Sequence, residues 1–165
     1  MTRVALSIGA NLGDRLAALR YAVAELATLG NVVAVSDVYE TDPVGGPEQP
    51  EYYNAVVVVE TSVPPAEVLA AAQRAEQGKG RTREVRWGAR TLDVDVLAYG
   101  QKVSADPVLT LPHPRAMDRG FVMIPWAQID PDFLLPDART VAGVAAGMAR
   151  DGVRRIGPLL RTVEP

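Results

Sequence analysis

The sequence predicts an α+β fold, a ferredoxin-like α/β sandwich with a mainly antiparallel sheet and extra C-terminal elements, on three observations. Short apolar or alternating runs at residues 4–8, 32–39, 55–59 and 91–97 read as strands. Apolar residues recur at helical spacing between the first and second runs, and again between the third and fourth. Strand-helix-strand-strand-helix-strand is the plan of that sandwich, and the chain beyond Tyr99 is left as an addition to it.

In chain order, Val4, Ala5, Leu6, Ser7 and Ile8 form a strand that Gly9, Ala10 and Asn11 end. Leu12, Leu16, Leu19, Val23 and Leu26 mark the first helix, with Asn11 expected as N-cap, Asp14 in the first turn and Gly30 just past the end. A valine-rich strand covers residues 32–39, and residues 41–50 concentrate glycine and proline in a loop long enough to be functional. Tyr52, Tyr53 and Asn54 lead into residues 55–59, a run so apolar that both its faces should be covered. Pro64 and Pro65 open a second helix that buries Val68, Leu69, Ala72 and Ala75 and ends near residues 77–80. Gln73 and Glu76, three apart, share one edge of it.

After the strand at residues 91–97, residues 99–102 read as a hairpin turn and residues 108–115 as an extended, proline-bounded segment. A helical pattern begins at Arg119, Gly120 and Phe121, and Pro125 kinks or restarts it. Residues 140–148 form a last short helix burying Val141, Val144, Ala145 and Met148, and the final fifteen residues carry no chemical signal.

The length of 165 residues fits one domain spanning the whole chain, residues 1–165. A net charge of -3 argues against a nonspecific nucleic-acid or membrane-surface binder. The absence of cysteine excludes disulfides and thiol chemistry. Apolar runs too short for a bilayer, and an N-terminus that leads straight into a strand, set the expectation of a cytoplasmic protein. Neither G-x-x-x-x-G-K-[ST] nor G-x-G-x-x-G occurs, so any nucleotide is held by other means.

The chemistry concentrates where Arg81, Arg83, Arg86 and Arg90, with Trp87 among them, run into Asp93-Val94-Asp95. On a strand the two aspartates share a face, their Cβ atoms roughly 7 Å apart. A strand with one polar face is ordinary sheet architecture. Aspartate is nevertheless depleted in strands, and two same-face carboxylates repel unless a cation lies between them. A small hard cation suits that pair, and guanidinium groups suit phosphate oxygens. His113, the sole histidine, reads by itself as a surface or turn residue, and Asn54 reads equally as a turn residue or a ligand contact.

The stretch Arg86-Trp87-Gly88-Ala89-Arg90-Thr91-Leu92-Asp93-Val94-Asp95 resembles the signature of the 6-hydroxymethyl-7,8-dihydropterin pyrophosphokinase family, close to R-W-G-P-R-T-L-D-[LV]-D, with Ala89 in place of the proline. Ordered similarities run over nearly the whole chain, at residues 9–12, 39–41, 49–54, 73–83, 111–115 and 119–122. Asp42 is a second departure, standing where the pattern often has proline.

The resemblance implies transfer of pyrophosphate from ATP to the pterin hydroxymethyl group in the folate pathway, with release of AMP. It implies two Mg²⁺ ions on Asp93 and Asp95, and catalytic roles for Arg81 and Arg90. The pterin would stack between Tyr52 and Phe121 and bond to Asn54 and to the loop at Thr41, Asp42 and Val44, with Trp87 closing the site. ATP would meet Gln73, Glu76, Arg83, Arg86, Trp87, Arg90, Thr110, His113 and Arg119. The expected partners are these two small molecules, with no nucleic acid or membrane, and the expected state is a monomer. Two other readings stay open on the residues alone: a ligand-binding regulatory module without turnover, and another Mg-ATP kinase that transfers the terminal phosphoryl group.

Overall fold

The computed structural model describes residues 1–11, 13–42, 51–80 and 92–160. Strand β1 (Thr2–Ala10) is central to a sheet ordered β5-β1-β4-β3-β6, and β2 also pairs with β4. Every pairing is antiparallel. The βαββαβ core is β1, helix α1 (Arg15–Leu26), the bent pair β2 (Gly30–Val35) and β3 (Asp37–Thr41), β4 (Tyr52–Thr61), helix α2 (Pro65–Gly80) and β5 (Asp93–Tyr99). Helices α3 (Gly120–Ile129) and α4 (Val141–Ala146) and strand β6 (Val153–Pro158) are the C-terminal additions.

Alternation along the strands divides the apolar residues between two cores. Val4, Leu6, Ile8, Ala55, Val57, Val59, Val94 and Val96 point to α1 and α2, where they meet Ala18, Leu19, Ala22, Val68, Ala72 and Ala75. Ala5, Val56, Val58 and Leu97 point the other way, to Val122, Met123, Trp126, Val141 and Val144 on α3 and α4. The run at residues 55–59 is therefore covered on both faces, as its composition requires. On α2 the buried stripe uses Ala71, while Leu69 stays half-exposed.

Several local expectations change. Helix α1 is capped by Asp14, whose carboxylate accepts from the Ala17 N–H at 3.0 Å, and not by Asn11. Gly13 at φ 67 holds the left-handed turn that separates strand from helix, so the first helical residue is Arg15 and the cap lies immediately before it. The single strand expected at residues 32–39 is two strands bent at Ser36. Its N–H donates to Val56 O at 2.9 Å, and its hydroxyl accepts from Val56 N at 2.9 Å and donates to Asp37 O at 2.8 Å. A side chain thus replaces one ladder partner, and β3 leaves at an angle toward β6. Residues 99–102 do turn, with Gly100 at φ 52, but no paired hairpin strand follows; an isolated bridge joins Ser104 to Leu111. The Leu111–Pro112 peptide bond is cis. Helix α3 runs unbroken through Pro125, and Thr140 caps α4 by accepting from Gly143 N at 3.0 Å. The final residues, without signal in the sequence, supply β6 and with it Arg154.

Gly30, expected only as a helix stop, is a site of close backbone approach: a Cβ there would stand 2.2 Å from Glu60 O across the β2–β4 pair. Gly30→Ala should therefore cost about 1–3 kcal/mol, the usual penalty of overpacking, and chemical denaturation of the variant beside the wild type measures it.

Candidate active site

Because β1 is hydrogen-bonded on both sides, each of its residues fixes a row across the sheet. Gly9 lies opposite Asp93 on β5 and opposite Asn54 on β4, and Asn54 lies opposite Tyr39 on β3. Two residues back along β1, Ser7 stands between Asp95 and Val56. Val94 and Val96 enter the α1–α2 core, so Asp93 and Asp95 share the opposite face, where both are half-buried. Thr41 and Tyr52, paired across β3 and β4, add the next row on that face.

Gly9 leaves the middle of this row bare. A Cβ there would stand 2.7 Å from Asn54 Oδ1. Asn54 is buried, and its Nδ2 donates to Thr41 Oγ1 at 2.6 Å. The amide is thereby fixed in one orientation, with its oxygen directed over Gly9. Tyr52 lies close enough to Asp93 to feel its charge: burial raises the Tyr52 phenol above its ordinary pKa, and the carboxylate adds to the rise.

On the other side of the carboxylates, the His113 N–H donates to Leu97 O at 2.8 Å, which fastens the cis-proline segment to β5. The His113 Nδ1 accepts from Arg115 N at 3.2 Å, so the neutral ring carries its proton on Nε2. Burial lowers the imidazole pKa below 6.5, Asp95 opposes that shift, and Arg119 and Arg115 reinforce it. The ring thus sits between the field of a site carboxylate and those of two guanidiniums. The Arg119 guanidinium lies 5.5 Å from the Phe121 ring centroid at the start of α3. From the α2 side, Glu76 Oε2 accepts from Val94 N at 3.0 Å, tying the edge strand to its helix at the residue between the aspartates.

Asp93, Asp95, Tyr52, Asn54, Thr41, His113, Arg119 and Phe121 are therefore gathered around the α3 face and the adjoining edge of the sheet. Other predicted site residues are placed differently. Gln73 is exposed on α2. The Thr110 hydroxyl donates to Asp106 O at 3.0 Å, and the Asp42 carboxylate faces Arg154. Val44, Arg81, Arg83, Arg86, Trp87 and Arg90 lie outside the described residues. Sequence reasoning gave no role to Gly9, which it placed only at a strand end and within the similarity at residues 9–12, or to Arg154, which has no local signal.

Among the described residues no three His, Cys, Asp or Glu side chains converge as a metal cage. The Asp93–Asp95 pair supplies oxygen donors only, on one face and half-buried. That donor set fits Mg²⁺, which takes one or two carboxylates and fills its remaining positions with phosphate and water. Among the described residues no helix is long and apolar enough to cross a membrane.

A ferredoxin-like sheet with two same-face carboxylates, a fixed amide and aromatic rings near them makes this a small α+β protein with a polar site on the α3 face of its sheet. Residues 5–131 match the family model for 7,8-dihydro-6-hydroxymethylpterin-pyrophosphokinase. The chain is 45% identical over 161 residues to 2-amino-4-hydroxy-6-hydroxymethyldihydropteridine pyrophosphokinase of Mycobacterium tuberculosis, covering 91% of this chain and 82% of the relative. It is 36% identical to the Pseudomonas aeruginosa protein of the same name, over 93% of this chain and 96% of that one. Its fold is similar to that of the Plasmodium falciparum HPPK-DHPS crystal structure, with a TM-score of 0.67 and 13% identity, covering 88% of this chain and 44% of the longer one. The chain belongs to the 7,8-dihydro-6-hydroxymethylpterin-pyrophosphokinase family.

The single histidine gives one imidazole signal to follow by NMR. Its midpoint should lie below 6.5, and Asp95→Asn should move it further down, because the one neighbour that raises it is removed. Between the lowered folded value and 6.5 the unfolded chain binds more protons, so this residue makes the fold more stable as pH rises through that window. An Asp95→Asn midpoint unchanged from wild type would break the assigned proximity.

Proposed function

We infer that this chain catalyses pyrophosphoryl transfer from ATP to the hydroxymethyl group of 6-hydroxymethyl-7,8-dihydropterin, a step of folate biosynthesis, with AMP as the second product. The observation that carries the reading is the match to the pyrophosphokinase family over residues 5–131, which includes the same-face pair Asp93 and Asp95. The proposal extends to one pyrophosphokinase domain over residues 1–165, acting as a cytoplasmic monomer on two small-molecule substrates.

The site assignments are part of the proposal. The pterin is flat, with donors and acceptors around its edge. Tyr52 and Phe121 offer ring faces to it, and the fixed amide of Asn54 offers an edge partner, with Thr41 holding that amide in place. Thr41, Asp42 and Val44 supply backbone groups, and Trp87 supplies a further ring. The triphosphate side falls to Gln73, Glu76, Arg83, Arg86, Trp87, Arg90, Thr110, His113 and Arg119. The neutral His113 ring presents an Nε2–H donor, which suits an anionic oxygen without adding a full charge. Arg90 is assigned to the transferred group, where a planar fork offsets developing charge on phosphoryl oxygens, and Arg81 to clamping the phosphates.

Asp93 and Asp95 would hold Mg²⁺, with two ions in the reading taken from the resemblance. When bound, Mg²⁺ supplies charge neutralisation at the phosphates and polarises the oxygens around it. The protein's own contribution is position: both acids stand on a strand fastened to β1, to α2 through Glu76 and to the His113 segment.

The decisive measurement is product identification by mass, with and without Mg²⁺. AMP and a pterin diphosphate are expected with the metal, and chelation should abolish both. ADP would point to transfer of the terminal phosphoryl group, and ligand binding without a nucleotide product would point to a regulatory module. Asp93→Asn and Asp95→Asn should each lower turnover by about 100-fold or more, the scale of losing one well-placed electrostatic partner, while circular dichroism stays that of the wild type. Near-normal AMP release from both variants at ordinary Mg²⁺ would refute the assignment.

A further inference from the structure

Arg154 stands on β6, beyond residue 131 where the family match ends. Three carboxylates share its guanidinium. Nε donates to Glu40 Oε1 at 3.3 Å, Nη2 donates to Asp42 Oδ1 at 3.0 Å, and Glu51 Oε2 lies 3.1 Å from the same Nη2. Glu40 and Asp42 flank Thr41 at the end of β3, and Glu51 immediately precedes Tyr52 at the start of β4. Thr41 and Tyr52 are register partners, and Thr41 holds the Asn54 amide. One side chain from a third strand therefore grips both strand ends that present these groups.

Other bonds hold the same corner. Asp42 N donates to Gly152 O at 3.0 Å, and Arg15 Nη1 donates to Glu51 O at 2.7 Å while its guanidinium lies 3.8 Å over the Tyr53 ring. Proline, which has no N–H, could not make the first of these bonds at position 42; aspartate makes it and adds a carboxylate for Arg154. Gly152 adopts φ 73, and a Cβ there would stand 2.9 Å from Asp42 Oδ2. Asp42 is thus met by the carbonyl and bare Cα of Gly152, just before β6, and by the guanidinium of Arg154 on β6.

A solitary exposed ion pair contributes little. Here three like charges converge on one cation, so its removal leaves Glu40, Asp42 and Glu51 repelling one another across the gap between β3 and β4. We propose that Arg154 is a positioning residue for the pterin half of the active site: by clasping Glu40, Asp42 and Glu51 it sets the spacing of the β3 and β4 ends, and hence of Thr41, Tyr52 and Asn54. The proposal rests on the pyrophosphokinase reading given above. A lysine would keep the charge but not the fork that serves carboxylates along two of its edges.

The test is steady-state kinetics by AMP release for the wild type, Arg154→Met, Arg154→Lys and Gly152→Ala, varying each substrate in turn. Arg154→Met should raise KM for hydroxymethyldihydropterin about tenfold, the scale of a lost set of charge-assisted hydrogen bonds. KM for ATP and kcat should stay within about twofold, the pattern of lost substrate binding without lost chemistry. Arg154→Lys should recover part of the effect. Gly152→Ala, which displaces the Asp42 carboxylate and leaves Arg154 intact, should give the same pterin-selective rise and decides the matter if the arginine variants fold poorly. A pterin KM within about twofold of wild type in Arg154→Met or Gly152→Ala, or both KM values rising together, would overturn the positioning role. Absence of AMP release from the wild type would instead overturn the pyrophosphokinase reading, and the two failures are distinct.

Discussion

The antiparallel register of β1 against β4 and β5 is the constraint on which the site depends. It places Gly9 between Asp93 and Asn54, and Ser7 between Asp95 and Val56. A slip of one residue on β5 would turn both aspartates into the α1–α2 core and bring Val94 and Val96 to the mouth. Burial opposes such a slip. On β5 the two faces differ, so the slip would place two carboxylates in an apolar core and expose Val94 and Val96 in their place. The polar mouth is therefore held in place by apolar residues a few positions away on the same strands.

The carboxylate strand lies at a sheet edge, which would ordinarily be the weaker place for a site. Two side attachments offset this. Glu76 reaches from α2 to the Val94 N–H, and the His113 N–H reaches from the segment before α3 to Leu97 O. Both attachments use backbone groups of β5, so the edge strand is held by α2 and by the His113 segment as well as by β1. Glu76 thereby has a structural bond in addition to any role toward ATP, and the same is true of the His113 backbone.

The parts of this arrangement legible in the sequence were those that repeat with a period. Asp93 and Asp95 alternate with Val94 and Val96, and that alternation alone placed the two acids on one face. Residues 55–59 declared their double burial by composition, and Pro65 declared the start of α2. Features made by a single side chain meeting a distant backbone were not legible. Ser36 bends one expected strand into two because its hydroxyl enters the ladder at Val56, twenty residues away. Gly30 reads as a helix stop, and its close approach to Glu60 O exists only after β2 and β4 pair. Asn11 and Asp14 are both good capping residues by type, and the left-handed turn at Gly13 decided between them. Arg154 lies 112 residues from Asp42 and has no periodic neighbourhood, so composition gave it no meaning.

The described half of the site also bears on what it can discriminate. In the proposed reading the pterin is met by groups on paired strands: an amide oriented by Thr41, a tyrosine beside a carboxylate, and a bare glycine that leaves the amide oxygen uncrowded. Fixed hydrogen-bonding groups reject a ligand that lacks the matching edge far more strongly than a shaped apolar slot does, since a mismatch leaves a buried polar group without a partner. Arginine forks match the oxygens of a phosphate whatever group that phosphate carries, so they do not read the heterocycle. Selectivity for the flat heterocycle therefore belongs on the strands, with the arginine-rich stretch between α2 and β5 assigned to charge. An element that stiffens the ends of β3 and β4, as β6 does from outside the family's matched region, acts on the half of the site where small displacements are most costly.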